Sequence, residues 1–176
     1  MNWVDRVAVI CVVVFVVAAC GAARTSPQAT PFTVTATGGP TLTGQNVSIS
    51  AFRGHPAVLI FWGSWCGPCH DEQPQLNADH AKWSPHGVDF LGVDLRDTTS
   101  PALAFQSQFK VPYPSIADTN ATLAVNYRIP SAPSLVFLNS KGGVADVVLG
   151  GLGVMSNADF NAEITKLLGA TTAASA

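Results

Sequence analysis

Residues 56–70 read PAVLIFWGSWCGPCH, and the rest of the chain is best understood outward from them. Pro56 to Trp62 is a continuous apolar run rich in branched and aromatic side chains, the pattern of a strand buried on both faces. Gly63-Ser64-Trp65 turns the chain, and from Cys66 the pattern becomes helical. Pro68 is tolerated in the first turn, and Asp71 and Glu72 sit near the positive end of the macrodipole. Cys66 and Cys69 thus open a helix. Unpaired N–H groups at such an end stabilise an anion and lower a cysteine pKa from about 8.5 to roughly 3.5–7.5. The thiolate is the form that attacks disulfides. Cys66, at the exposed edge of the turn, is expected to be the nucleophile, and Cys69, deeper in the helix and more buried, the resolving cysteine.

Upstream, the chain carries an export address. Met1 to Arg6 is a short n-region, Val7 to Val17 an apolar h-region, and Ala18-Ala19 the small residues before a cleavage site, giving a signal peptide over residues 1–19. Val17-Ala18-Ala19-Cys20 resembles a bacterial lipobox, which implies cleavage before Cys20, a diacylglycerol on its sulfur and attachment to the membrane. Residues 20–31 are expected to be the lipidated cysteine and a flexible linker, small, polar and proline-punctuated, reaching at most about 40 Å when extended. The domain is assigned to residues 32–169 and a disordered tail to residues 170–176.

Of four cysteines, Cys11 falls in the expected signal and Cys20 would carry the lipid that the lipobox resemblance implies, which leaves Cys66 and Cys69 as the free thiols. A purely structural bridge between them closes a tiny loop and stabilises little. Structural zinc needs four ligands, and beyond Cys66 and Cys69 the candidates are His55, His70, His80 and His86, with no second C-x-x-C. His55, His80 and His86 read as surface or loop residues, whereas His70 directly follows Cys69 and is placed to tune the pair.

Phe61 to His70, with Glu72 and Pro74 downstream, resembles the active site of thioredoxin-fold proteins, in particular TlpA-like and ResA-like exported thiol-disulfide oxidoreductases. Leu42 to Gly54 resembles the hairpin and short helix ahead of that family's active-site strand, and Tyr127 to Leu138 its cis-proline loop, with Pro133 at the cis position. The resemblance covers about residues 32–168 and implies that Glu72 helps move the proton of the buried thiol. It implies a substrate-binding surface of Trp65, Pro68, Ala132 and Pro133, in which the Ala132 backbone pairs with an extended substrate segment. Two positions depart from relatives: Ile60 stands where cytoplasmic thioredoxins keep a buried Asp, and Ser131 where a glycine is common.

The remaining elements fit an α/β thioredoxin fold. Strands are expected at Val88–Leu95, Ser115–Asp118, Ser134–Leu138 and Val144–Leu149, and helices at Pro101–Phe109 and Thr122–Tyr127. A final helix is capped by Ser156 with Asp159 three positions on, and stopped by Gly169. Such alternation gives a central mixed sheet flanked by helices, with an N-terminal β-hairpin extension and a mid-chain insertion.

With 11% charged residues and a formal net charge of −2, the chain lacks the basic footprint of a nucleic-acid binder. A thiol peroxidase would need a threonine and proline arrangement that Trp62-Gly63-Ser64-Trp65 does not supply. The resemblance implies a membrane-tethered, monomeric extracytoplasmic enzyme, without organic cofactor or metal, that reduces disulfides in exported proteins, apocytochrome c among them, and is recharged by an integral-membrane electron donor. A disulfide-forming oxidase or a copper-binding chaperone of the same fold is the alternative.

Overall fold

The computed structural model describes residues 38–174; the signal peptide, Cys11, Cys20 and the linker lie outside the described residues. The chain opens with a two-stranded antiparallel hairpin, β1 (Gly38–Pro40) and β2 (Asn46–Ser48), followed by a 3-10 turn at Ile49–Phe52. Strand β3 (Ala57–Trp62) is buried at every position and leads into α1 (Gly67–Trp83). Then come β4 (Asp89–Leu95), α2 (Thr99–Phe109), β5 (Ser115–Asp118) and α3 (Thr122–Asn126). The chain ends with β6 (Ser134–Leu138), β7 (Val144–Leu149) and α4 (Asn157–Ala174).

The main sheet has the order β5-β4-β3-β6-β7, with β3, β4 and β5 parallel and β6 and β7 antiparallel to their neighbours. This is the mixed thioredoxin-like sheet the sequence predicts. A strand's side chains alternate between faces, and β3 shows the consequence. Val58 and Ile60 pack with Leu76 of α1 and with Phe160, Ile164 and Leu167 of α4. Leu59 and Phe61 pack on the other face with Leu123 and Ala124 of α3 and with Ile49. Because both faces are covered, β3 is apolar throughout instead of alternating. Its last residue, Trp62, joins a third cluster with Cys66, Cys69, Ala102 and Phe105, so the cysteines sit where β3 runs out beneath α1 and α2.

Two expectations are corrected. Gly169 does not stop the last helix, and residues 170–174 are helical instead of disordered. An interior glycine costs a helix only about 1 kcal/mol, and the Thr171 and Thr172 hydroxyls donate back to the Leu167 and Gly169 carbonyls. His80 is no surface or loop residue: it lies within α1, half-buried, its ring edge-on to Phe90. Pro74 stands inside α1 as well and cannot donate to the His70 carbonyl.

Candidate active site

Cys66 is the N-cap of α1, in extended conformation, and its Sγ accepts the Cys69 N–H at 3.2 Å. The N–H of Cys66 itself closes the preceding turn on the Gly63 carbonyl. Gly67 and Pro68 follow as the first two helical residues, and a proline there loses no helical hydrogen bond. The two sulfurs are joined in a disulfide. The difference in burial expected between them is absent: Cys66 is 3% exposed and Cys69 2%. Trp62, Leu42 and Phe105 pack in one cluster with both. What distinguishes Cys66 is its place at the positive end of the helix.

Trp65 is 54% exposed beside Cys66, and its indole N–H donates to the Leu95 carbonyl at 3.1 Å, which fixes a large apolar surface next to the disulfide. Ala132 is half-buried against the cluster holding both cysteines. The Ala132–Pro133 peptide bond is cis, and the Pro133 carbonyl accepts the Gly150 N–H at 2.9 Å. The expected residues come from two separate parts of the chain, Trp65 and Pro68 around the first turn of α1 and Ala132 and Pro133 before β6, and Ala132 meets the cluster that holds the cysteines. His70 points back into the turn, its Nε2 2.9 Å from the Ser64 carbonyl and its ring edge-on to Phe105 and Phe109.

Glu72 lines a cavity of about 430 Å³, whose walls include Pro68, Gln75, Leu152 and Met155. Burial pushes its carboxyl up to about 7, against the opposing pull of the Leu152 N–H, which donates to Oε2 at 2.8 Å. Gly151 is what lets this happen. It has φ +58°, and a Cβ there would lie 2.5 Å from Glu72 Oε2. Gly151→Ala is therefore expected to displace the carboxyl group, break its bond to Leu152 and destabilise the domain by about 1–3 kcal/mol in urea unfolding. An unchanged midpoint would show that Glu72 has room to retreat.

Sequence reasoning missed Asp94 and Asp97. Asp97 Oδ2 accepts the Ser64 N–H at 2.6 Å, so it grips the turn ahead of Cys66. A signal was available in Asp94, a carboxylate set between Val93 and Leu95 near the end of a strand and on the same side as Phe90 and Gly92. Among the described residues, no three His, Cys, Asp or Glu side chains gather as they would around a metal ion.

Residues 26–147 match the AhpC/TSA family. The chain belongs to that family. Within it, the chain is 26% identical over 109 residues to the thiol-disulfide oxidoreductase ResA of Bacillus cereus, covering 62% of this chain and 63% of ResA. It is 33% identical over 113 residues to the thiol:disulfide interchange protein DsbE of Pseudomonas fluorescens, covering 63% of this chain and 61% of DsbE. The aligned part thus spans just under two thirds of the length of these curated relatives. In structure it is similar to a secreted Mycobacterium tuberculosis disulfide oxidoreductase described as homologous to E. coli DsbE, with a TM-score of 0.66 at 26% identity over 74% of this chain and 95% of that one.

Proposed function

We propose that this chain is a thiol-disulfide oxidoreductase acting outside the cytoplasm, and that its two-cysteine helix start is the whole of its redox machinery. The observation that carries the proposal is the N-cap position of Cys66, with its sulfur accepting the Cys69 N–H and disulfide-bonded to its neighbour. In the reduced protein the Cys66 thiolate attacks one sulfur of a substrate disulfide and expels the other as a thiolate. Cys69 then attacks Cys66 Sγ, which re-forms the internal disulfide and releases the second substrate thiolate, so two electrons pass to the substrate. Cys69 must lose its proton for that second step. Glu72 sits one turn further along α1, and a carboxyl group pushed up to about 7 is suited to exchanging that proton near neutrality.

Trp65 and Pro68, both exposed, and the backbone at Ala132 would receive an extended polypeptide beside the disulfide. The names of the bacillar and pseudomonad relatives and the secreted mycobacterial neighbour support this chemistry and an extracytoplasmic setting. Tethering through a lipid on Cys20, reduction as the direction of flow, apocytochrome c as a substrate and an integral-membrane electron donor complete the proposal; the lipobox-like residues 17–20 and Gly67-Pro68 between the cysteines support it.

Two measurements test it. Cys69→Ala is expected to accumulate mixed disulfides with exported proteins through Cys66, recoverable after acid quenching; an active wild type whose variant traps nothing would overturn the assignment. A redox titration following tryptophan fluorescence should give a potential below about −220 mV for a reductant, whereas one above about −160 mV would make the chain an oxidase.

A further inference from the structure

The turn that delivers Cys66 is held at three points. Asp97 Oδ2 accepts the Ser64 N–H, the Ser64 carbonyl accepts from His70 Nε2, and the Trp65 indole donates to the Leu95 carbonyl. Asp97 Oδ1 also accepts the Thr98 N–H at 2.7 Å. Behind Asp97 stands Asp94. It lies opposite Trp62 in the parallel register of β3 and β4, so its side chain is on the sheet face that Trp62 shares with the two cysteines. It is 2% exposed, its Oδ1 has no hydrogen-bond partner, and its carboxyl group lies close enough to that of Asp97 for the two to interact.

Two carboxyl groups make a hydrogen bond only when a proton lies between them. Asp97 already accepts from two backbone N–H groups, whereas a charge on Asp94 would leave a buried anionic oxygen with no donor. The proton therefore belongs on Asp94. We propose that Asp94 is a neutral positioning residue for disulfide exchange: its O–H donates to Asp97, whose carboxylate in turn holds the Ser64 N–H and the turn that presents Cys66. The catalytic part of this inference rests on the oxidoreductase reading above.

The titratable groups that act on Asp94 are Asp97 on the loop after β4 and Asp118 at the end of β5. Asp118 is already committed to the Leu123 and Ala124 N–H groups. Burial first, and then the carboxylates of Asp97 and Asp118, push Asp94 up to about 8. Above that pH the pair becomes doubly charged, its shared hydrogen bond is lost, and the hold on Ser64 loosens.

The test uses the disulfide form, in which the cysteines do not titrate. The Ser64 amide proton and the Asp94 carboxyl carbon are followed by NMR from about pH 5 to pH 10, and both are expected to move together with a midpoint near 8. Asp94→Asn, whose amide N–H still donates to Asp97, should abolish that step. In the reduced protein at neutral pH, Asp94→Leu should slow exchange with a small disulfide about tenfold, and Asp94→Asn should restore the rate to within about threefold of wild type. A Ser64 amide without a step above pH 7, or an Asp94→Leu protein as fast as wild type, would overturn the proposal. If Asp94→Leu does not fold, the wild-type and Asp94→Asn titrations decide it. A wild type inert toward disulfides would instead sink the oxidoreductase reading, leaving the titration to judge the carboxyl pair.

Discussion

Cys66→Ala is expected to lower the rate of disulfide exchange at least about 10³-fold, while Cys69→Ala leaves the first attack intact and stops the reaction after one stoichiometric turnover. Burial does not rank the two sulfurs, since both are nearly inaccessible in the disulfide form. Their positions on the helix do. Cys66 Sγ lies in front of the first turn of α1, where backbone N–H groups lack helical acceptors, and it already takes one of them, from Cys69. Cys69 lies inside the turn, where those donors point away from its side chain. On reduction, negative charge should settle on Cys66 and carry it to attack. Iodoacetamide should therefore label residue 66 first, with a midpoint below the value near 8.5 of a free thiol. Preferential labelling of Cys69, or a Cys66→Ala protein that still turns over, would reverse the roles.

The strand, turn and helix around the cysteines were legible because each rests on local chemistry. An unbroken apolar run forms a strand covered on both faces, and a proline two residues after an N-cap marks a helix start. Trp65, Pro68 and the cis Ala132–Pro133 bond could be named from family resemblance because they travel with the motif. The burial of Cys66 could not be foreseen, since it depends on Leu42 and Phe105, far away in sequence, closing over the disulfide. Nor could the bond between Glu72 and the Leu152 N–H, which spans eighty residues and depends on a glycine whose missing Cβ carries no periodic signal. Asp94 was overlooked for a related reason. Strand reading explains apolar positions, and a lone carboxylate on a core face acquires meaning only once the loop holding Asp97 is seen to fold back on Ser64.

The disulfide form of the domain is expected to lose stability as pH rises from about 5 to about 8, by about 2–4 kcal/mol, or about 5 °C or more in Tm. The sign follows from the direction in which burial moves the carboxyl groups. Glu72 is raised from 4.5 to about 7 and Asp94 from 3.8 to about 8, so over this window the unfolded chain releases both protons while the folded one retains them. Their stabilising share is complete below the unfolded values and is lost as pH climbs through the folded ones. Asp79 and Asp89, also raised by burial, act in the same sense. His80, lowered by its packing in α1, acts in the opposite sense, its contribution being lost as pH falls through the folded value. Solvent screening at the cavity beside Glu72 holds the sum below the full linkage of the two large shifts. Glu72→Gln keeps an acceptor for the Leu152 N–H and cannot ionise, so its stability should fall less over the same window and exceed that of wild type most at about pH 8. Urea unfolding at fixed pH measures both. If wild type and variant run parallel, Glu72 ionises normally in the folded protein and cannot be the group that exchanges the Cys69 proton near neutrality; if they diverge, the instability above pH 7 is the cost of keeping a protonated carboxyl group beside a redox helix.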